Sequence, residues 1–101
     1  MNEGNRTILE TAEVKVRDMF LASGAEVPWH YHSEVADTMV CLQGQIQVEL
    51  KNPQQRWLLN PGNSCEVVVG RLHRVIATSS DDARYLLVQG VGRYDFQPLE
   101  C

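Results

Sequence analysis

Short β-type segments separated by turn-forming residues run along almost the whole chain. Residues 45–50 (QIQVEL) alternate polar and apolar side chains without a fault, which is typical of a half-buried strand. Similar segments are predicted at 14–21, 38–42, 56–59, 65–69, 73–78 and 84–88. Strands at a spacing of roughly eight to twelve residues indicate a sandwich or barrel. No stretch shows helical periodicity, so the sequence predicts a compact all-β barrel.

The length of the chain favours a single domain. It has 101 residues and a mass of 11.4 kDa, enough for one hydrophobic core. We interpret residues 13–101 as one barrel domain, with residues 1–12 as an N-terminal arm or an edge strand. So small a barrel buries little surface alone. The apolar run Met19-Phe20-Leu21, together with the arm, then provides an apolar edge that two copies could share, which predicts a homodimer.

Charge and composition argue against two classes of partner. The net charge is -4 with a pI near 5.2, and the sequence has no basic cluster of the kind that nucleic-acid binding needs. No apolar run approaches the roughly 20 residues of a membrane span, and the N-terminus lacks the apolar core of a signal peptide. Three cysteines, Cys41, Cys65 and Cys101, favour reduced thiols over a disulfide framework. We therefore expect a cytoplasmic protein without a nucleic-acid or membrane partner.

The three histidines indicate a metal site. His30 and His32 are two positions apart, so in a strand both imidazoles leave the same face. Asp37 follows five residues after His32, and His73 lies in the segment GRLHRV. Imidazoles with a carboxylate suit Fe, Mn, Ni, Co, Cu or Zn, whereas Mg and Ca prefer oxygen ligands. Three or four protein ligands also leave a coordination position open for a substrate or water.

The spacing of these residues resembles the two signatures of the cupin superfamily. The first signature is matched by Gly24, His30, His32, Asp37 and Gly44, and the second by Gly62, Val68, Gly70 and His73. The resemblance implies a double-stranded β-helix of jelly-roll type. It also implies one divalent transition metal inside the barrel, with His30, His32, Asp37 and His73 as its ligands, and it supports the homodimer.

Asp37 departs from the family pattern, which has glutamate at this position. Val68 and Ala77 also depart, at positions where the family has proline and asparagine, but these touch only turn and strand-end structure. The aspartate side chain is one methylene shorter, so Asp37 could coordinate directly, act through a water or leave a three-histidine site. Its reach favours a hydrogen bond to a metal-bound water, which makes Asp37 a candidate proton shuttle. On that interpretation Asp37→Ala weakens metal binding less than loss of a histidine does.

Strand alternation predicts which side chains line a pocket beside the metal. Met39 and Cys41 share a face with Asp37, and Val75 shares one with His73. Plain core packing is the preferred interpretation for Met39 and Val75, and Cys41 is more typical of an inert buried thiol than of a metal ligand. Arg71 is the nearest candidate cation for an anionic substrate, although a surface arginine is the commoner explanation.

Three functions fit these residues, all with a small-molecule ligand. The first is a metalloenzyme that isomerises or cleaves a small oxygenated metabolite, such as a sugar derivative or a hydroxy or keto acid. The second is a three-histidine iron dioxygenase. The third is a non-enzymatic module that binds or stores a small ligand.

Overall fold

A computed structural model describes residues 4–90 and 97–98, and these residues form ten strands. The strands are β1 (Arg6–Glu10), β2 (Val14–Leu21), β3 (Glu26–Tyr31), β4 (Ala36–Gln43), β5 (Ile46–Leu50), β6 (Gln55–Leu59), β7 (Ser64–Val67), β8 (His73–Ala77), β9 (Ala83–Gly90) and β10 (Gln97–Pro98). The described residues contain no helix, hence none long and apolar enough to cross a membrane. The all-β prediction is confirmed.

The strands form two antiparallel sheets of five strands each. One sheet has the order β1-β2-β9-β4-β7 and the other β10-β3-β8-β5-β6. Most neighbours within a sheet are distant in sequence: β9 lies between β2 and β4, and β8 between β3 and β5. The two sheets pack face to face as a jelly-roll barrel.

Alternation along the central strands builds the core. In β9 every second residue is buried, and β5 and β8 follow the same pattern. In β4 the residues buried in this way are Asp37, Met39 and Cys41. The inward side chains are apolar over most of the barrel and polar at one end, where Asp37 and Gln89 are buried. This change of polarity marks the end of the barrel that holds the candidate site.

The N-terminal segment provides the outermost strand of its sheet. β1 pairs with β2 in antiparallel register, so β2 lies inside the sheet, between β1 and β9. Met19 and Leu21 therefore belong to the core, at 8% and 5% exposure. The expectation that Met19-Phe20-Leu21 forms an exposed apolar edge is wrong. The exposed apolar side chains at this edge are Ile8 and Leu9 of β1, at 51% and 52%.

An irregularity in β3 aligns two of the histidines. Val27 pairs with Val75, but the register then shifts, so that His30 pairs with His73. Pro28 lies inside the shifted segment. Proline has no N–H to donate to a neighbouring strand, so it fits a point where regular pairing is interrupted. The shift places both imidazoles at the same end of the barrel.

The turn between β4 and β5 requires glycine. Gly44 has a φ of 71°, a conformation that side chains with a Cβ rarely adopt. A Cβ at this position would lie 2.6 Å from the Asp82 carbonyl oxygen. Because the Gly44 turn lies so close to Asp82, a residue with a Cβ would clash at this position, which explains the glycine.

Candidate metal centre

Four side chains from both sheets meet at the polar end of the barrel. The potential ligand atoms of His30, His32, Asp37 and His73 all lie within 4.8 Å of one another, and all four residues are buried. His30 and His73 come from adjacent strands of one sheet, and Asp37 comes from β4 of the other. The structure thus brings together the four residues that the sequence singled out.

The pair His30 and His32 faces one side of the backbone, as strand alternation predicts. Both are buried, at 4% and 3% exposure, whereas Tyr31 between them is 37% exposed. β3 ends at Tyr31, so His32 lies just beyond the regular strand. The backbone N–H of Gly70 donates to the His32 carbonyl at 2.8 Å. This bond holds the backbone of His32 in place where the regular pairing stops.

Backbone carbonyls set the tautomer of two imidazoles. The His30 Nδ1 lies 2.7 Å from the Pro28 carbonyl oxygen, and the His73 Nδ1 lies 2.8 Å from that of Arg71. A carbonyl only accepts, so each Nδ1 carries the proton and each Nε2 keeps its lone pair. Holding a ligand histidine through its other ring nitrogen is the usual arrangement at metal sites. Nε2 is therefore the nitrogen that each of these two imidazoles would offer to a metal.

The Asp37 carboxylate reaches the middle of the cluster. Its Oδ2 lies 3.2 Å from the His32 Nε2 and 3.1 Å from the His73 Nε2. Two ligand atoms bound at about 2.1 Å to one ion, at tetrahedral or octahedral angles, are about 3.0–3.4 Å apart. Oδ2 thus lies at the spacing of atoms that share one ion. The other oxygen, Oδ1, accepts a 2.9 Å hydrogen bond from the Gln89 Nε2.

The protonation states suit a bound cation. Burial lowers the pKa of His30 to about 4, so this imidazole is neutral at neutral pH, the form that binds metals. Burial alone would raise the pKa of Asp37, but its close contacts with the His32 and His73 imidazoles outweigh this effect and hold the pKa below its usual range. In a neutral His73, the Nε2 lone pair and the charged Oδ2 of Asp37 would repel each other. A cation bound between these two atoms would attract both. The donor set therefore fits a divalent transition metal.

A cavity of about 70 Å³ adjoins the cluster. The side chains that line it are Arg17, Met19, Val27, His30, His32, Asp37, Met39, Val75, Tyr85, Leu87 and Gln89. Met39 and Val75, which alternation placed in the pocket, are among them. Six of these eleven side chains carry polar groups and the other five are apolar, the combination that small-ligand sites use for orientation and burial.

Cys41 and Arg71, the other two residues predicted in the pocket, lie elsewhere. Cys41 is fully buried at the Gly44 turn, with its Sγ 3.6 Å from the Gly44 carbonyl oxygen. Burial raises the pKa of its thiol, so Cys41 is a neutral core residue. The Arg71 guanidinium donates to the carbonyls of Lys51 and Pro53 at 2.8 and 2.7 Å. Arg71 thus fixes the 51–55 turn, and it serves the site only through its carbonyl.

Three polar residues of the cavity were not identified from the sequence. Arg17 lies on β2, and Tyr85 and Gln89 lie on β9. The signal that could have found them is the register of these strands, because Asp37 pairs with Gln89 and Arg17 pairs with Leu87. Alternation in the sequence predicts the face of a strand on which each side chain lies. It does not predict which strand lies beside it in the sheet.

The fold and the buried histidine–carboxylate cluster define a jelly-roll barrel with a candidate metal centre. Residues 17–89 match the cupin domain family. The match covers most of the barrel, and the chain belongs to the cupin family. No curated protein matches the sequence.

Solved structures of similar fold include several cupin-type proteins. A Klebsiella pneumoniae subsp. pneumoniae protein with a double-stranded β-helix domain has a TM-score of 0.84 and 21% identity, over 96% of this chain and 84% of that one. KdgF from Halomonas sp. has a TM-score of 0.76 and 20% identity, over 88% and 80%. The polyketide cyclase RemF from Streptomyces resistomycificus has a TM-score of 0.80 and 15% identity, over 96% of this chain and 70% of that one. At these identities the likeness establishes the fold.

The pKa of His30 predicts a pH dependence of stability in metal-free protein. The folded-state value, about 4, is below the ordinary 6.5. The unfolded chain therefore binds the proton first, and folding stability falls as the pH drops from about 6.5 to about 4. The slope from this residue is at most about 1.4 kcal/mol per pH unit, the value for one proton. Urea unfolding in the presence of a chelator measures it.

His30→Gln is the matched variant, because it removes the titrating group and keeps a polar side chain of similar size. We expect its unfolding free energy to depend less on pH across the same window. Equal slopes for the two proteins would contradict the assignment to His30.

Proposed function

We propose that this cupin is a metal-dependent enzyme that acts on a small oxygenated metabolite. The substrate class is a hydroxy or keto acid or a sugar derivative, and the reaction is an isomerisation or a lyase-type cleavage. The observation that carries the proposal is the buried cluster of His30, His32, Asp37 and His73 beside a partly enclosed cavity. A site that only stabilised the fold would have no reason to adjoin such a cavity.

Each of the surrounding residues has a role that follows from its contacts. A divalent metal held by the four ligands would supply Lewis acidity to a substrate carbonyl or hydroxyl oxygen. Gln89 fixes the Asp37 carboxylate through Oδ1, which leaves Oδ2 for coordination. Burial raises the pKa of Tyr85, so its phenol stays protonated at neutral pH. Tyr85 is then a hydrogen-bond donor to charge that develops on the substrate.

The geometry favours this function over the two alternatives, the three-histidine iron dioxygenase and the non-enzymatic binding module. The dioxygenase hypothesis drew on an Asp37 too short to coordinate, and the 3.1 and 3.2 Å distances from Oδ2 to two imidazoles favour a four-ligand set instead. They also favour a ligand role for Asp37 over a proton shuttle. The placement of Tyr85 and Gln89 in the cavity wall argues against the non-enzymatic binding module. Among the similar folds, RemF is named as a polyketide cyclase, which supports an enzymatic role.

Metal content is the first test of this proposal. Purified protein should carry close to one transition-metal ion per chain, and His30→Ala or His73→Ala should remove it, because each loss leaves an incomplete buried site. Inductively coupled plasma mass spectrometry measures the content. Glu34→Ala, at an exposed carboxylate close in sequence, is the control and should keep the metal. Protein that stays metal-free after growth in supplemented medium would refute the proposal.

The Asp37 ligand role has its own test. We expect Asp37→Ala to weaken metal affinity as strongly as His32→Ala does, since Oδ2 lies at ligand spacing from two imidazoles. Competitive titration with a chromogenic chelator gives both constants. A loss of only about 10–100-fold for Asp37→Ala, against complete loss for His32→Ala, would return Asp37 to the water-mediated role.

We also propose that the protein is a homodimer. The exposed outer strand β1 offers unpaired backbone groups together with Ile8 and Leu9, both about half exposed, and such edges favour pairing between chains. Light scattering at micromolar concentration should give twice the chain mass. Ile8→Lys should shift the mass towards the monomer, whereas Leu58→Lys, at a similarly exposed position on β6, should leave it unchanged. A monomer mass for the unmodified protein would refute this.

The expected compartment remains the cytoplasm. Cys41 and Cys65 are free thiols in the structure, which suits a reducing compartment. Cys101 lies outside the described residues.

A further inference from the structure

We propose that Arg17 anchors the carboxylate of a small carboxylic acid substrate in the cavity beside the metal centre. This inference rests on the proposed function and specifies its substrate class: a monocarboxylate with about six non-hydrogen atoms, such as a hydroxy acid. The sequence offered Arg71 as the nearest candidate cation for an anionic substrate, with a surface arginine as the commoner explanation, and the structure uses Arg71 for a turn. Arg17 was not identified at all.

Strand register places Arg17 on the same side of its sheet as the Asp37 ligand. Arg17 pairs with Leu87, and Leu87 pairs with Met39, so these three residues form a row across β2, β9 and β4. All three line the cavity, together with Asp37. Strands are about 4.8 Å apart, which puts the Cα atoms of Arg17 and Met39 about 10 Å apart. A small molecule can therefore lie between the guanidinium and the ligand cluster.

The charge of Arg17 has no counter-charge in the described structure. Within residues 4–90, no carboxylate lies within 4 Å of its guanidinium, and its Nε is buried without a hydrogen-bond partner. Arginine cannot lose its proton to escape this situation. By contrast Arg84, on the neighbouring strand β9, pairs with Asp18 at 3.4 Å. A half-buried cation without a partner is costly, and a bound anion would remove that cost.

The side chains that line the cavity favour a monocarboxylate as its ligand. Arg17 is the one arginine or lysine among the described residues that line the cavity, so it can balance a single negative charge. Its planar guanidinium matches a carboxylate through two parallel hydrogen bonds. A phosphate dianion would need further donors. The Oε1 of Gln89 is also buried without a partner, and its orientation is fixed because the Nε2 donates to Asp37. An acceptor in this place favours a ligand with a hydroxyl group.

The cavity limits the size of the ligand. Its volume of about 70 Å³ holds on the order of six water molecules, since each needs about 10–15 Å³. This is well below the roughly 300–1,000 Å³ of pockets for drug-sized molecules. A hydroxy acid of three carbons fits, whereas a hexose acid does not fit without rearrangement.

The test compares lactate with its neutral amide, lactamide, by isothermal titration calorimetry. The two probes have the same number of non-hydrogen atoms and differ in charge. We expect the unmodified protein to bind lactate more tightly than lactamide. Arg17→Met should weaken lactate binding by about 10–100-fold, the range of a charge-assisted hydrogen bond, and leave lactamide unchanged. Arg17→Lys keeps the charge without the paired geometry, so an intermediate lactate affinity is expected.

Arg56→Met is the matched control, because it removes the same charge at an exposed position of the other sheet. The titrations are run on metal-loaded and metal-free protein, with the metal content of each variant measured. Absence of metal from the unmodified protein overturns the proposed function but not the anchor, which the metal-free titration still tests. Equal affinity for lactate and lactamide, or equal effects of Arg17→Met and Arg56→Met, overturns the anchor.

Discussion

The buried Asp37 carboxylate is the interaction on which the polar end of the barrel depends. It is 1% exposed, and a charge so far from water is costly unless it is paired and hydrogen-bonded. Groups from both sheets contact it: Gln89, from the same sheet, donates to Oδ1. The His73 Nε2, from the opposite sheet, lies 3.1 Å from Oδ2, where a bound cation would join the two. Removing any one partner would leave the charge incompletely satisfied. The packing of the two sheets and the geometry of the site are therefore linked at this residue.

The backbone around the histidines is arranged for the same purpose. The register shift in β3 brings His30 opposite His73, and each of these imidazoles donates its Nδ1 proton to a carbonyl two residues earlier in the chain. In both contacts the acceptor belongs to the backbone, so it cannot rotate away as a side-chain acceptor could. The Nε2 lone pairs are thus directed before any ion arrives, which lowers the entropic cost of binding one.

The sequence predicted the parts of the site that depend on local spacing. Strand alternation placed His30 and His32 on one face and Met39 on the face of Asp37, and the structure agrees. The residues it missed, Arg17 and Gln89, share no local pattern with the histidines, because β2 and β9 meet β4 only through long-range pairing. The reach of Asp37 could not be judged from the sequence for a similar reason. Side-chain length was known, but the separation of the two sheets was not.

The charges of the cavity give a reason why metal and substrate anchor belong together. Metal binding requires neutral imidazoles, and in that state Asp37 and Arg17 are the charged groups among the described lining residues, so that their charges cancel. A divalent ion at the cluster would leave two positive charges in a poorly hydrated space, where charges interact far more strongly than in water. An anionic ligand reduces this excess, and a neutral ligand of the same shape does not. The residues that bind the cation therefore also determine the charge of the substrate that can bind beside it.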